Sequence, residues 1–148
     1  DVDNDTVQIN AVAGVGSKWS GKASIRFNVA DVQRPLASAS KVVAKGNRIV
    51  LEEGGSFIQS VSTGEKIALR VERGVYVFDT KYEGGSTGTM ALDSGAGVNV
   101  WPQDWWSDAP MEPKAPGLKM VAANGTEITN LGQKVIKFNA IQPFAGQR

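Results

Sequence analysis

Apolar and polar residues alternate along most of this chain in short runs bounded by Gly, Asn, Asp or Pro. A period of two is the pattern of a strand with one face in a core. Val7, Ile9 and Ala11 alternate in TVQINAVAG, and Ile25, Phe27 and Val29 in ASIRFNV. RIVLEE (48–53) and SFIQSV (56–61) flank Gly54-Gly55, which predicts a hairpin. Ile67, Leu69 and Val71 alternate in EKIALRV, and GVYVFDT (74–80) follows at once. Further strand-like runs are TMAL (89–92), GVNVW (97–101), LKMVAA (118–123) and KVIKFNAI (134–141). Asn124-Gly125 lies between the last two and is a strong hairpin signal.

A single segment has helical spacing. Pro35 suits a first helical position and Gly46 suits the far end. Between them Leu36, Ala39, Val42 and Val43 share a face, with Lys41 and Lys45 toward the end that favours cations. The pattern therefore predicts an all-β domain over residues 1–148 with one short helix. Gly84-Gly85-Ser86-Thr87-Gly88 interrupts it with no apolar residue, and its composition fits a linker or an ordinary hairpin loop.

Composition narrows the chemistry. The 148 residues contain no Cys and no His. That excludes disulfides, thiolate nucleophiles, Cys- and His-based metal motifs and the Ser–His–Asp triad. Acid–base work would fall to carboxylates, Lys, Tyr or water, with no metal or other cofactor expected. Sixteen Lys+Arg against fifteen Asp+Glu leave +1. No charge run predicts a nucleic-acid or membrane surface, and no apolar stretch reaches the ~20 residues that span a bilayer.

Ala91-Leu92-Asp93-Ser94-Gly95-Ala96-Gly97 is the main candidate site. Apolar residues lead into Asp-Ser-Gly, and a strand-like run follows. Such a loop can hold a carboxylate rigidly between strands, with Gly95 allowing close backbone approach and Ser94 adding a hydrogen bond. Two such carboxylates ~3 Å apart share one proton, so one activates water while the other polarises a carbonyl. The competing reading is a plain turn, since Asp, Ser and Gly are all turn residues.

ALDSGA resembles the active-site loop of retroviral-type aspartic proteases, the retropepsins. LKMVAANGTEITNLGQKVIKF resembles the flap hairpin and following strand of copia-type retrotransposon proteases. FNVADV with RPLASASKVVAKGNRIVLEE resembles the second half of such a domain, and GSFIQSVSTGEKIALRVERGVYVFD resembles the hairpin that trails it. The resemblance implies a retropepsin-like closed β-barrel with one short helix. It implies Asp93 as the catalytic residue, Ser94, Gly95 and Ala96 as its loop, and Ala122, Ala123, Asn124, Gly125 and Thr126 as the substrate-binding flap. It also implies a peptide or polyprotein substrate and an intracellular retroelement product.

The order of the segments departs from the family. The family's C-terminal half comes first (1–83), residues 84–88 stand where a linker would join the old ends, and the half with the Asp loop and flap follows (89–148). That is a circular permutation, with new ends expected in the loop between the flap strand and the strand before the helix. The chain carries one D-[ST]-G, so activity requires a homodimer that brings two copies of Asp93 together. Asp31 is expected to cap or turn the chain before the helix. Asp104 and Asp108 fall in an aromatic loop where Trp101, Trp105 and Trp106 are expected to pack, in core or dimer interface, rather than wall a cleft. The alternatives are a non-catalytic retropepsin-like module and an unrelated β-barrel or sandwich that binds or dimerises, with Asp93-Ser94-Gly95 a turn.

Overall fold

The computed structural model describes residues 10–13, 19–82, 86–105, 108–122 and 124–141. Thirteen strands and one helix follow in order: β1 (Asn10–Ala13), β2 (Trp19–Ala30), β3 (Leu36–Ser38), α1 (Ala39–Ala44), β4 (Asn47–Val50), β5 (Phe57–Ser60), β6 (Lys66–Ala68), β7 (Arg70–Glu72), β8 (Val75–Tyr82), β9 (Thr87–Asp93), β10 (Val100–Pro102), β11 (Met120–Val121), β12 (Glu127–Ile128) and β13 (Gly132–Ala140). Six of them close a barrel in the order β2-β10-β3-β9-β8-β13 and back to β2. The pairs β10–β2 and β3–β9 are parallel, and the other four are antiparallel. Closure removes the free edges that an open sheet would expose. β1 extends β2 and β7 extends β8 outside the ring.

Alternation fills the interior. Ala23, Ile25, Phe27 and Val29 of β2 face inward, opposite Ile136 and Phe138 of β13. Met90, Ala91 and Leu92 of β9 are buried in succession, so both faces of that strand are covered. At one end Trp101 stacks edge-on against Tyr82 and Trp105 and tilts against Phe27. Gly88 makes that arrangement possible, because a Cβ there would lie 2.7 Å from the Trp105 ring and 2.9 Å from the Tyr82 ring. A smaller sheet, β4-β5-β6, aligns Ile49, Ile58 and Ile67 in one row that joins the same core.

The expected strands and hairpins recur with several differences. The Gly54-Gly55 hairpin joins β4 to β5. EKIALRV divides into β6 and β7, with Ile67 and Leu69 buried but Val71 exposed. Arg73 and Gly74, both at positive φ (51° and 80°), make the tight turn into β8. Thr87 and Gly88, expected in a linker, lie in β9. TVQINAVAG contributes β1 alone, since 1–9 lie outside the described residues, as do 83–85 and both chain ends.

The helix is shorter than expected. Leu36 to Ser38 form β3 because sheet pairing with β9 and β10 outweighs their helical spacing. Pro35 is therefore not the first helical residue, and its carbonyl accepts the Ala91 N–H at 3.0 Å. The N-cap is Ser38, whose Oγ accepts the Lys41 N–H at 3.3 Å, and Asp31 is exposed in the bend after β2. Val42 is buried, but Val43 faces solvent at 51% exposure, so the two do not share a face. Gly46 at φ 90° ends the helix as the sequence indicates.

Candidate active-site loop

β9 carries Asp93 to the rim of the barrel, where its carboxylate is partly exposed above buried Leu92. Asp93 Oδ1 accepts the Gly95 N–H at 2.8 Å. A Cβ at Gly95 would sit 3.4 Å from that oxygen, so glycine leaves this side of the carboxylate open. The Ala96 N–H points back to the Asp93 carbonyl at 3.4 Å, and Ser94, Gly95 and Gly97 are exposed. The expected loop residues thus form one compact turn.

Two residues that sequence reasoning missed hold this turn to the barrel. Ser38, the parallel register partner of Asp93, is fully buried and donates from Oγ to the Ala96 carbonyl at 2.6 Å. Asn99, 3% exposed, accepts the Ser38 N–H at Oδ1 (2.8 Å) and donates from Nδ2 to the Arg26 carbonyl (3.3 Å). Its own carbonyl accepts the Asn28 N–H at 2.8 Å and the Asn28 side chain at 3.2 Å. One carboxamide therefore links β2, β3 and the loop's exit. The available signal was a lone Asn inside the apolar run GVNVW.

The Asn124-Gly125 hairpin is present between β11 and β12. Gly125 adopts φ 87°, the Ala122 N–H donates to the Thr126 carbonyl at 2.8 Å, and Asn124 Oδ1 accepts the Thr126 N–H at 3.0 Å. Asn124, Gly125 and Thr126 are exposed, and Ala123 lies outside the described residues. The base of the hairpin and the Asp93 loop's exit meet in a second apolar cluster: Met120, Leu118 and Ile128 pack with Val98, Val100, Leu36, Val32 and Ala30. A cavity of about 540 Å³ opens at this base beside Lys114, Pro116, Leu118, Ile128 and Asn130.

Trp101 and Trp105 pack, and Trp105 Nε1 donates to the Gln33 carbonyl at 3.1 Å. Trp106 lies outside the described residues, and Asp104 and Asp108 are exposed. Behind β9 runs a chain of charges. Arg34 pairs with Glu72, Glu72 with Arg70, and Arg70 with Asp79 through two bonds of 3.0 Å. Asp79 also accepts from Thr89 Oγ1 at 3.1 Å. Hydrogen bonds from Arg34 and then Arg70 hold the Glu72 carboxyl below its usual range, and the Arg70 bond does the same for Asp79. The fold and site thus define a mainly β protein with a closed six-stranded barrel and one Asp-Ser-Gly loop at its rim. Comparison with protein-family models, curated proteins and solved structures finds no match.

Proposed function

We propose that the chain is a retropepsin-like aspartic endopeptidase in permuted order, active as a homodimer on extended peptides. The carrying observation is the Asp93 loop: a partly exposed carboxylate ending a buried strand, held by the Gly95 N–H and anchored through Ala96 to Ser38. The 120–128 hairpin packed on the exit of that loop suits a flap that binds peptide main chain as an added strand. Permuted order draws support from two pairings. β13 and β2 are antiparallel neighbours with Asn139 opposite Lys22, and β8 and β9 form a hairpin. Joining the first pair and opening the second restores the family's order.

One chain supplies half of the pair. Across a two-fold axis, Asp93 takes a proton from water as the water oxygen adds to the peptide carbonyl carbon. The partner's Asp93, protonated, donates to the carbonyl oxygen. Collapse of the tetrahedral species returns a proton to the leaving amine. Cleavage is then fastest at acidic to mildly acidic pH, because one carboxyl must remain protonated. Asp93→Asn is expected to lower peptide cleavage by about 10²–10⁴-fold with an unchanged circular dichroism spectrum and thermal midpoint. Cleavage equal to the parent's would remove the assignment. A chain that sediments as a monomer and cleaves nothing would instead favour a non-catalytic binding module.

A further inference from the structure

Ser38 makes more hydrogen bonds than a helix cap needs. A serine hydroxyl has one proton and two lone pairs. The Ala96 carbonyl can only accept and lies 2.6 Å away, so the proton goes there. The lone pairs face the Lys41 N–H at 3.3 Å and the Ser40 hydroxyl at 3.1 Å, whose proton then points at Ser38. The Ser38 N–H is taken by Asn99 Oδ1 at 2.8 Å. Capping uses only the acceptor side. The donation to Ala96 crosses from the helix start to the far limb of the Asp93 turn, while the near limb closes on itself through Gly95. We infer that Ser38 is a positioning residue: with its backbone N–H held by Asn99 and its hydroxyl oriented by Ser40 and the Lys41 N–H, it fixes the Ala96 carbonyl and so the turn in which Asp93 presents its carboxylate. The catalytic consequence rests on the protease reading, but the structural one does not.

Two substitutions separate this role from capping. Ser38→Gly removes the hydroxyl yet costs a helix cap little, whereas Ser38→Thr keeps both donor and acceptor. Amide hydrogen exchange on the full chain supplies the readout, with Ile136 in β13 as internal reference. Ser38→Gly is expected to speed exchange at Gly95 and Ala96 about tenfold or more relative to Ile136, because the half-buried Ala96 carbonyl loses its donor and the turn its tie to the barrel. Ser38→Thr is expected to restore the parent rates. In peptide cleavage, kcat of Ser38→Gly is expected to fall about tenfold with KM little changed, and threonine to recover it. Unchanged exchange at Gly95 and Ala96, acceleration matched at Ile136, or a threonine variant as fast as the glycine one would overturn the proposal. A parent chain that cleaves no peptide defeats the protease reading alone, and the exchange rates still decide Ser38.

Discussion

At the scale of single residues, the barrel interior contains two polar atoms without hydrogen-bond partners among the described residues, the Tyr82 hydroxyl and Trp101 Nε1. Burial also pushes the Tyr82 hydroxyl up to about 12. Removing an unsatisfied buried hydroxyl relieves a desolvation cost, so Tyr82→Phe is expected to keep or raise stability, by up to about 1 kcal/mol in urea unfolding. Asn99→Ala has the opposite sign. It strands the Ser38 N–H in the interior and is expected to cost about 2–3 kcal/mol by the same measurement. Asp93, Ser94, Gly95 and the Asn124-Gly125 turn were legible because their types are local signals. Asn99 was not, since alternation in GVNVW assigns it to a solvent face. β10 instead lies between β2 and β3 with Val100, Trp101 and Pro102 all buried, so that face is covered too.

Among the elements, the close fit is at β9. Gly88→Ala would drive a methyl group into the Trp105 and Tyr82 rings, which both pack against Trp101. It is expected to cost about 1–3 kcal/mol and to lower the thermal midpoint. Strands and tight turns were readable because period two and residues at positive φ are written locally. The helix start was not. Leu36 to Ser38 have helical spacing, but β9 offers them parallel pairing from Leu36 to Ser38. Its end was readable because Gly46 at φ 90° needs only its own chemistry.

For the whole molecule, the all-β class followed from the patterning, whereas barrel closure left no local trace. The β2–β13 pairing joins residues about a hundred positions apart, and no short window of sequence records it. The Arg34–Glu72–Arg70–Asp79 chain spans β3's approach, β7 and β8, and reaches β9 through Thr89. Asp79 and Glu72 have carboxyls lowered in the folded state. Their contribution to stability is therefore complete above the unfolded carboxylate range of about 4 and fades as pH falls through the folded values. Urea midpoints are expected to drop below about pH 4, less steeply in Asp79→Asn and in high salt.

The seam between β2 and β13 also sets a timetable. Asn28 and Gln133, bonded across it, are 105 residues apart in the chain. On a ribosome β2 is complete long before β13 exists, and its inward row Ile25, Phe27 and Val29 waits without the strand that pairs with it. Non-local pairing of this kind is slow, with mainly β domains folding in milliseconds to seconds. The interval before closure is when an unpaired apolar strand is most open to association with other chains.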